Sequence, residues 1–250
     1  MSRFAPWIAR GFVPYAFGAA DNLARVDLRP FGLQVRAIEA DRATSEPFHR
    51  AMSRLNHHAF GAMAMPRWVQ WDLATTPSLF VGFAAPWEEL PMPWRDPDAR
   101  RLGLVPVSEA LAVPTAVAGR WASVSLASAV RGLGFLTKLL NLAVIGADEA
   151  VGVTQADNPA VRTHLRFGPL ALRQVDLPFH DASSRSFAYA LRPTRADLER
   201  LADGGAIALP HATASLAHDA DRAPWRARLE AGERLQIVGQ TSSALLIRES

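Results

Sequence analysis

Near the middle of the chain the run Val130-Arg131-Gly132-Leu133-Gly134-Phe135-Leu136 combines residue types suited to gripping a phosphate. A phosphate group needs several backbone N–H donors converging where no side chain blocks its approach, and a helix N-terminus adds positive potential. Gly132 and Gly134 leave that approach open, and the apolar segment Leu133–Ile145 that follows has the pattern of a helix. Arg131 sets a fixed positive charge at the mouth of the turn. A second candidate is Asp157-Asn158-Pro159-Ala160, after the strand-like run 149–155. It reads as a helix start, with Asp157 or Asn158 able to cap and Pro159 in the first turn, where its missing N–H is not needed.

Other chemistries fit these residues poorly. A P-loop fails for want of G-K-[ST]. Gly132 and Gly134 give G-x-G, but the third glycine of a dinucleotide fingerprint is missing, and only Asp157 stands near the distance of the acidic ribose partner. Without a G-x-S-x-G elbow a serine hydrolase is not expected. Adjacent His57 and His58 point apart on a helix, and neither they nor His49 complete an H-E-x-x-H pattern. His211 and His218, near Asp219 and Asp221, read as a solvated loop, and no metal is expected.

Composition narrows the class further. The chain has 250 residues, 49% hydrophobic and 20% charged, enough apolar content for a sizeable core and too much for disorder. Its pI near 10.1 suggests nucleic acid, yet the formal net charge is only +3. Lys138 is the sole lysine, and the arginines are scattered singly or in pairs such as Arg100-Arg101, so no basic run or aromatic stacking platform forms. No nucleic-acid partner is expected. Cysteine is absent, which removes disulfides and thiolate chemistry and fits a bacterial cytosol, hence a cytoplasmic location. Arg10 and Pro14 interrupt the apolar N-terminus, against a signal peptide. Lys138 and Asn141 break the longest apolar run, well short of the ~18 residues of a membrane span.

The elements that must position these residues alternate between strand and helix. Residues 1–30 read as an arm without periodicity, packed on the main body. Alternation of Leu33 and Val35 with Gln34 and Arg36 suggests a first strand over Gly32–Glu39, and Ala43–Phe60 a helix with Phe48, Met52, Leu55 and Ala59 on one face. Ser78–Ala84 is a short buried strand. Residues 85–106, with Pro86, Pro91, Pro93, Pro97 and Pro106 around Trp87, Trp94 and Glu88-Glu89, read as a loop, either a substrate-side lid or a segment packed on the protein's own surface. Thr115–Ala129 reads as the central strand, Pro159–Phe167 as a helix, and Leu170–Phe179 with Ser186–Arg192 as an antiparallel pair. Arg195–Ala202 and Ala223–Ala231 are expected helices, and Leu235–Ile247 a terminal hairpin around Thr241-Ser242-Ser243.

Strand, glycine turn, helix, strand, helix over 120–168 resembles the acyl-CoA-binding core of the GNAT family of N-acyltransferases. In that family the turn R/Q-x-x-G-x-G/A wraps the pyrophosphate of coenzyme A. Arg131 and Gly134 match it, and Leu136 stands where a small residue is usual. The resemblance implies a mixed α/β fold with a central sheet flanked by helices, a GNAT-like domain over 31–193 and a C-terminal extension over 194–250. It also implies acetyl-CoA or acyl-CoA as co-substrate, held by Leu126, Ala127, Ser128, Arg131, Gly132, Leu133, Gly134, Phe135 and Leu136. Asn158, or Asp157 in the alternate register, is implied to contact the pantetheine arm.

The implied reaction is direct attack of an amine, on a small molecule or a peptide, on the acyl thioester in a ternary complex. Backbone N–H groups around Leu126–Ser128 would stabilise the oxyanion. Glu109, placed just before the central strand, is the implied base, and Ser125 or Ser128 would hold a relay water. His164, counted back from Gly168, stands where many members carry a tyrosine that protonates the departing thiolate; counted forward from Asn158, Leu165 takes that place. Plainer readings put Glu109 at the surface and leave His164 as a partly exposed helix-face residue. Two other functions stay open: a GNAT-fold interaction module without turnover, and transfer from a long-chain acyl-CoA or acyl-carrier protein, suggested by the Trp-rich 85–106 segment.

Overall fold

The computed structural model describes residues 2–39, 42–95, 97–177 and 185–249. The chain forms two compact units, one of residues 1–146 with 202–204, the other of 147–201 with 205–250.

The first unit runs α1 (Ala5–Ile8), β1 (Val13–Gly18), α2 (Ala20–Leu23), β2 (Arg36–Glu39), α3 (Arg42–Phe60), α4 (Arg67–Thr75), β3 (Leu79–Pro86), β4 (Leu104–Pro114), β5 (Arg120–Ser128) and α5 (Leu133–Ile145). Its strands lie in the order β2-β1-β3-β4-β5. β1 and β2 are parallel and the other neighbours antiparallel, so the sheet is mixed. Two of these strands differ from the sequence expectation for one physical reason. Pro14–Gly18 of β1 and Val105–Ala112 of β4 are buried without a break, so neither shows the period-two alternation of a half-exposed strand. Residues 13–18 are therefore a strand within the expected arm, and the expected loop 85–106 ends inside β4. Glu109 falls in the middle of that strand, opposite Gly82 on one side and Ala127 on the other, rather than ahead of the central strand. α4 is likewise an addition to the expected elements.

Consecutive residues of β4 face opposite sides of the sheet. Glu109 meets Asn56 of α3, and Ser108 meets Thr137 of α5, so the two helices cover opposite faces. Beneath α3 lies a core of Tyr15, Phe17, Phe48, Met52, Trp71 and Phe80. The segment between β3 and β4 folds as short 3-10 turns on itself: Arg95 and Arg100 lie over the Trp87 ring, and His58 packs edge-on to Trp94 at 4.2 Å. That is the packed-on-own-surface reading of the segment; residue 96 lies outside the described residues.

The second unit runs β6 (Glu149–Gln155), α6 (Ala160–Leu165), β7 (Leu170–Val175), β8 (Ser186–Leu191), α7 (Arg195–Ala202), β9 (Ala214–Ala217), α8 (Ala223–Glu230), β10 (Leu235–Gln240) and β11 (Ala244–Glu249). Its strand order is β6-β8-β7-β10-β11-β9, with β6–β8, β8–β7, β7–β10, β10–β11 and β11–β9 all antiparallel. The antiparallel pair and the terminal hairpin are where the sequence put them, although β7 ends at Val175 and expected strand residues 178–179 lie outside the described residues. The solvated-loop reading holds for His211, Asp219 and Asp221, which are exposed, and is corrected at His218, which follows β9, is buried, and whose carbonyl accepts a hydrogen bond from Arg222 at 2.8 Å.

Candidate functional site

In the first unit the expected phosphate turn has the local form the sequence implied. The Ala129 N–H donates to the Val107 carbonyl at 2.8 Å, which ties the end of β5 to the bulge in β4. The Ser128 hydroxyl donates to the Val130 carbonyl at 2.8 Å, closing a tight turn. Gly132 then takes φ +94, a left-handed conformation that costs a residue with a Cβ but not glycine, and from it α5 begins with no side-chain cap. The Leu133 N–H donates to the Val130 carbonyl at 3.2 Å, and no side chain caps the N–H groups of the first turn after it, where the positive end of the helix dipole lies. Arg131 and Gly132 are exposed. A Cβ built on Gly134 would meet nothing within 4 Å. Leu136, the residue that departs from the small-residue pattern, is buried with Leu133 and Phe135. Its bulk lies in the core, away from the open side of the turn.

The β5 strand leading to this turn is itself irregular. Ser125 pairs with Leu111 and Ser123 with Ala112, so Val124 is the extra residue of a bulge, and it is 51% exposed. Bulges of this kind re-aim backbone groups near functional sites. Leu126 and Ala127 continue in register against Ala110 and Glu109, and Ser128 against Ser108. Ser125 is buried and its hydroxyl has no hydrogen-bond partner among the described residues, whereas Ser128 is exposed and engaged in its turn.

Beside this turn the first unit buries two ionisable side chains. Glu109 is fully buried, which corrects the surface reading, and accepts one hydrogen bond at Oε1 from Asn56 Nδ2, at 2.7 Å. Burial pushes its carboxyl up to about 8, and the Asn56 hydrogen bond opposes this only in part. Asn56 is fixed in turn by the Met65 N–H donating to its Oδ1 at 2.9 Å. Nearby, the Tyr15 hydroxyl donates to the Ser108 carbonyl at 3.0 Å, and the Thr137 hydroxyl donates to Ser108 Oγ at 2.7 Å. Lys138 is also buried; its ammonium donates to Ser123 Oγ at 2.7 Å, and burial brings its pKa down to about 7. At neutral pH Glu109 is thus largely a neutral acid. The one sequence signal for Lys138 is that the only lysine interrupts an apolar helix. Asn56 and Tyr15 carried no such signal, because contacts with β4 made from 53 and 93 residues away leave no local pattern.

Asn158 and His164 belong to the second unit. Asn158 Oδ1 accepts from the Ala160 N–H at 2.9 Å, closing a side-chain turn just ahead of α6, whose N-cap is Pro159, and its carbonyl accepts from Gln240 Nε2 at 3.0 Å. Asp157 is exposed. His164 is buried, in place of the partly exposed helix face expected, and its ring lies tilted on Tyr189 at 5.1 Å between centroids. Neighbouring Leu165 is buried as well. His49 is sandwiched against Phe17 and Trp71, and no group of three or more possible metal-binding side chains occurs among the described residues.

No protein-family model matches the chain, and no curated protein is similar to it in sequence. Solved structures similar to it include the ribosomal-protein-S18-alanine N-acetyltransferase from Escherichia coli, 13% identical over 58% of this chain and 88% of that one, with a TM-score of 0.41. An aminoglycoside 6'-acetyltransferase type Ii is 12% identical over 61% of this chain and 93% of that one, TM-score 0.41. A GNAT-family acetyltransferase from Bacillus anthracis is 9% identical over 61% and 91%, TM-score 0.39.

Proposed function

We propose that the chain is an acyl-CoA-dependent N-acyltransferase whose turn between β5 and α5 receives the pyrophosphate of coenzyme A. One observation carries this reading: α5 starts uncapped from a left-handed glycine, with exposed Arg131 beside it and open space at Gly134. A dianionic group there gains backbone donors, a helix dipole and a guanidinium together. Leu133–Leu136 line the turn through their backbone, and the amides of Leu126–Ser128 are the assigned oxyanion donors. The acceptor is an amine on a small molecule or peptide.

Glu109 is the candidate base, Ser128 the candidate relay and His164 the candidate acid. Because burial holds the Glu109 carboxyl near 8, a rate that depends on its ionised form rises through that pH. A second reading has one observation in its favour: Glu109 and His164 are both buried, which suits a GNAT-fold interaction module without turnover.

Calorimetric titration with CoA and acetyl-CoA at two salt concentrations tests the cradle. Saturable, salt-sensitive binding that is lost in a folded Gly134→Trp variant supports it; unchanged affinity in that variant overturns it. Binding without turnover over a panel of amines favours the module.

A further inference from the structure

The second unit holds a cavity of about 670 Å³ that the acyl-transfer reading does not use. It opens where two strands part. The β7–β10 ladder is confined to Leu170–Ala171 against Gln236–Ile237, after which α8 and its following turn stand between the strand ends. Gly232, at φ +86, ends α8 and swings the chain back so that Glu233, Arg234 and Leu235 line the opening. The floor is apolar, made by Phe167, Leu172 and Leu235, all buried, with Leu229 of α8 at the side.

The rim is basic. Arg173 is the extra residue of a bulge in β7, since Leu172 pairs with Tyr189 and Gln174 with Ala188. Its guanidinium and that of Arg192 converge on one oxygen of Glu149, Arg192 at 2.7 Å. Two positive charges therefore face one carboxylate, and both guanidiniums stay partly exposed, at 44% and 66%. Glu233, the acidic residue of the lining, is engaged by Arg228 at 2.6 Å. Arg234 adds a third guanidinium to the lining.

We propose that this cavity is a binding site for a small molecule that carries a carboxylate or phosphate group on an apolar body. Guanidinium forks match both oxyanions, and a concave, apolar-floored space of a few hundred Å³ suits a small ligand better than a flat macromolecular face. Glu149 holds Arg173 and Arg192 in place for the ligand, so less rotamer freedom is lost on binding. The proposal does not depend on CoA binding.

Titration of the full chain by calorimetry with phenyl phosphate, benzoate, inorganic phosphate and benzyl alcohol tests it. Saturable binding of phenyl phosphate or benzoate is expected, at least tenfold tighter than inorganic phosphate and weakened by added salt; the tighter of the two identifies the oxyanion. Arg234→Ala and, separately, Leu229→Glu should each weaken that binding at least tenfold, while CoA titrations stay unchanged. Failure of both aromatic anions to saturate overturns the proposal, as does wild-type affinity in either folded variant. Equal binding of benzyl alcohol makes the cavity merely apolar and overturns it too.

Discussion

Two buried glutamates, one in each unit, titrate in opposite directions. Glu109, in the first unit, has an amide and, among the described residues, no cation as its hydrogen-bond partner, and its carboxyl is pushed up to about 8. Glu149, in the second, is nearly as buried. There burial raises the carboxyl, but the hydrogen bonds and charges of Arg192 and Arg173 outweigh it and hold the group below its ordinary value. Burial alone does not decide the charge of an interior carboxyl; the partner does. The first unit pushes its buried Glu109 and Lys138 toward their neutral forms, the carboxyl up to about 8 and the ammonium down to about 7. The second keeps an ionised carboxylate that in turn fixes two cations at a cavity rim.

The comparison can be broken most directly by pH. A raised carboxyl stabilises the fold below its unfolded value, and that stability is lost as pH rises through the folded value. Glu109 therefore costs stability between pH 4.5 and about 8, at about 1.4 kcal/mol per pH unit, a few kcal/mol across the window. Lys138 has the opposite sign, since a depressed lysine loses stability as pH falls from 10.5 through about 7. Chemical denaturation over pH 4–10 should show Glu109→Gln flattening the lower window and Lys138→Met the upper one. An unaltered slope in either variant removes the neutral-interior account of the first unit.

Asn56→Ala comes next in size. It strips the donor from Glu109 Oε1 and the acceptor from the Met65 N–H, a loss of about 2–3 kcal/mol at neutral pH. It should also shift the Glu109 slope to higher pH, because the lost bond opposed the upward shift. Glu149→Gln should cost about 1–2 kcal/mol, discounted because Arg173 and Arg192 are partly exposed. A depressed carboxyl contributes above its unfolded value and loses this as pH falls through the folded one, so the gap in melting temperature between parent and variant should narrow as pH falls below 4.5. A gap that does not narrow with falling pH points to packing instead of charge. Smallest is Arg226→Ala, whose pair with Asp176 is half-exposed; a change within about 1 kcal/mol is expected, and a larger one means that α8 is pinned by that contact.

Much of this was open to reading in local pattern. The run from β5 through Gly132 into α5, the helix start after Asn158 and the terminal hairpin all depend on residues a few positions apart, where backbone preference and period speak directly. β1 and β4 were hidden, because a strand buried on both faces has no alternation, and Pro14 and Pro106 lend such segments the look of loops. The candidate site divides along the same line. Arg131, Gly132 and Gly134 were legible as a turn, whereas the burial of Glu109 and His164 was not.

The sequence by itself determined which residues could form an anion-binding turn and excluded thiol, serine-elbow and P-loop chemistry. Only the tertiary structure decided the protonation of Glu109, Lys138 and Glu149. Burial beneath elements from far along the chain pushes Glu109 up and Lys138 down, with Asn56 opposing the first shift only in part, whereas Arg173 and Arg192 outweigh burial at Glu149. Electrostatic energy depends on distance in space and on exclusion of water, and neither is written in the spacing of residues along a strand.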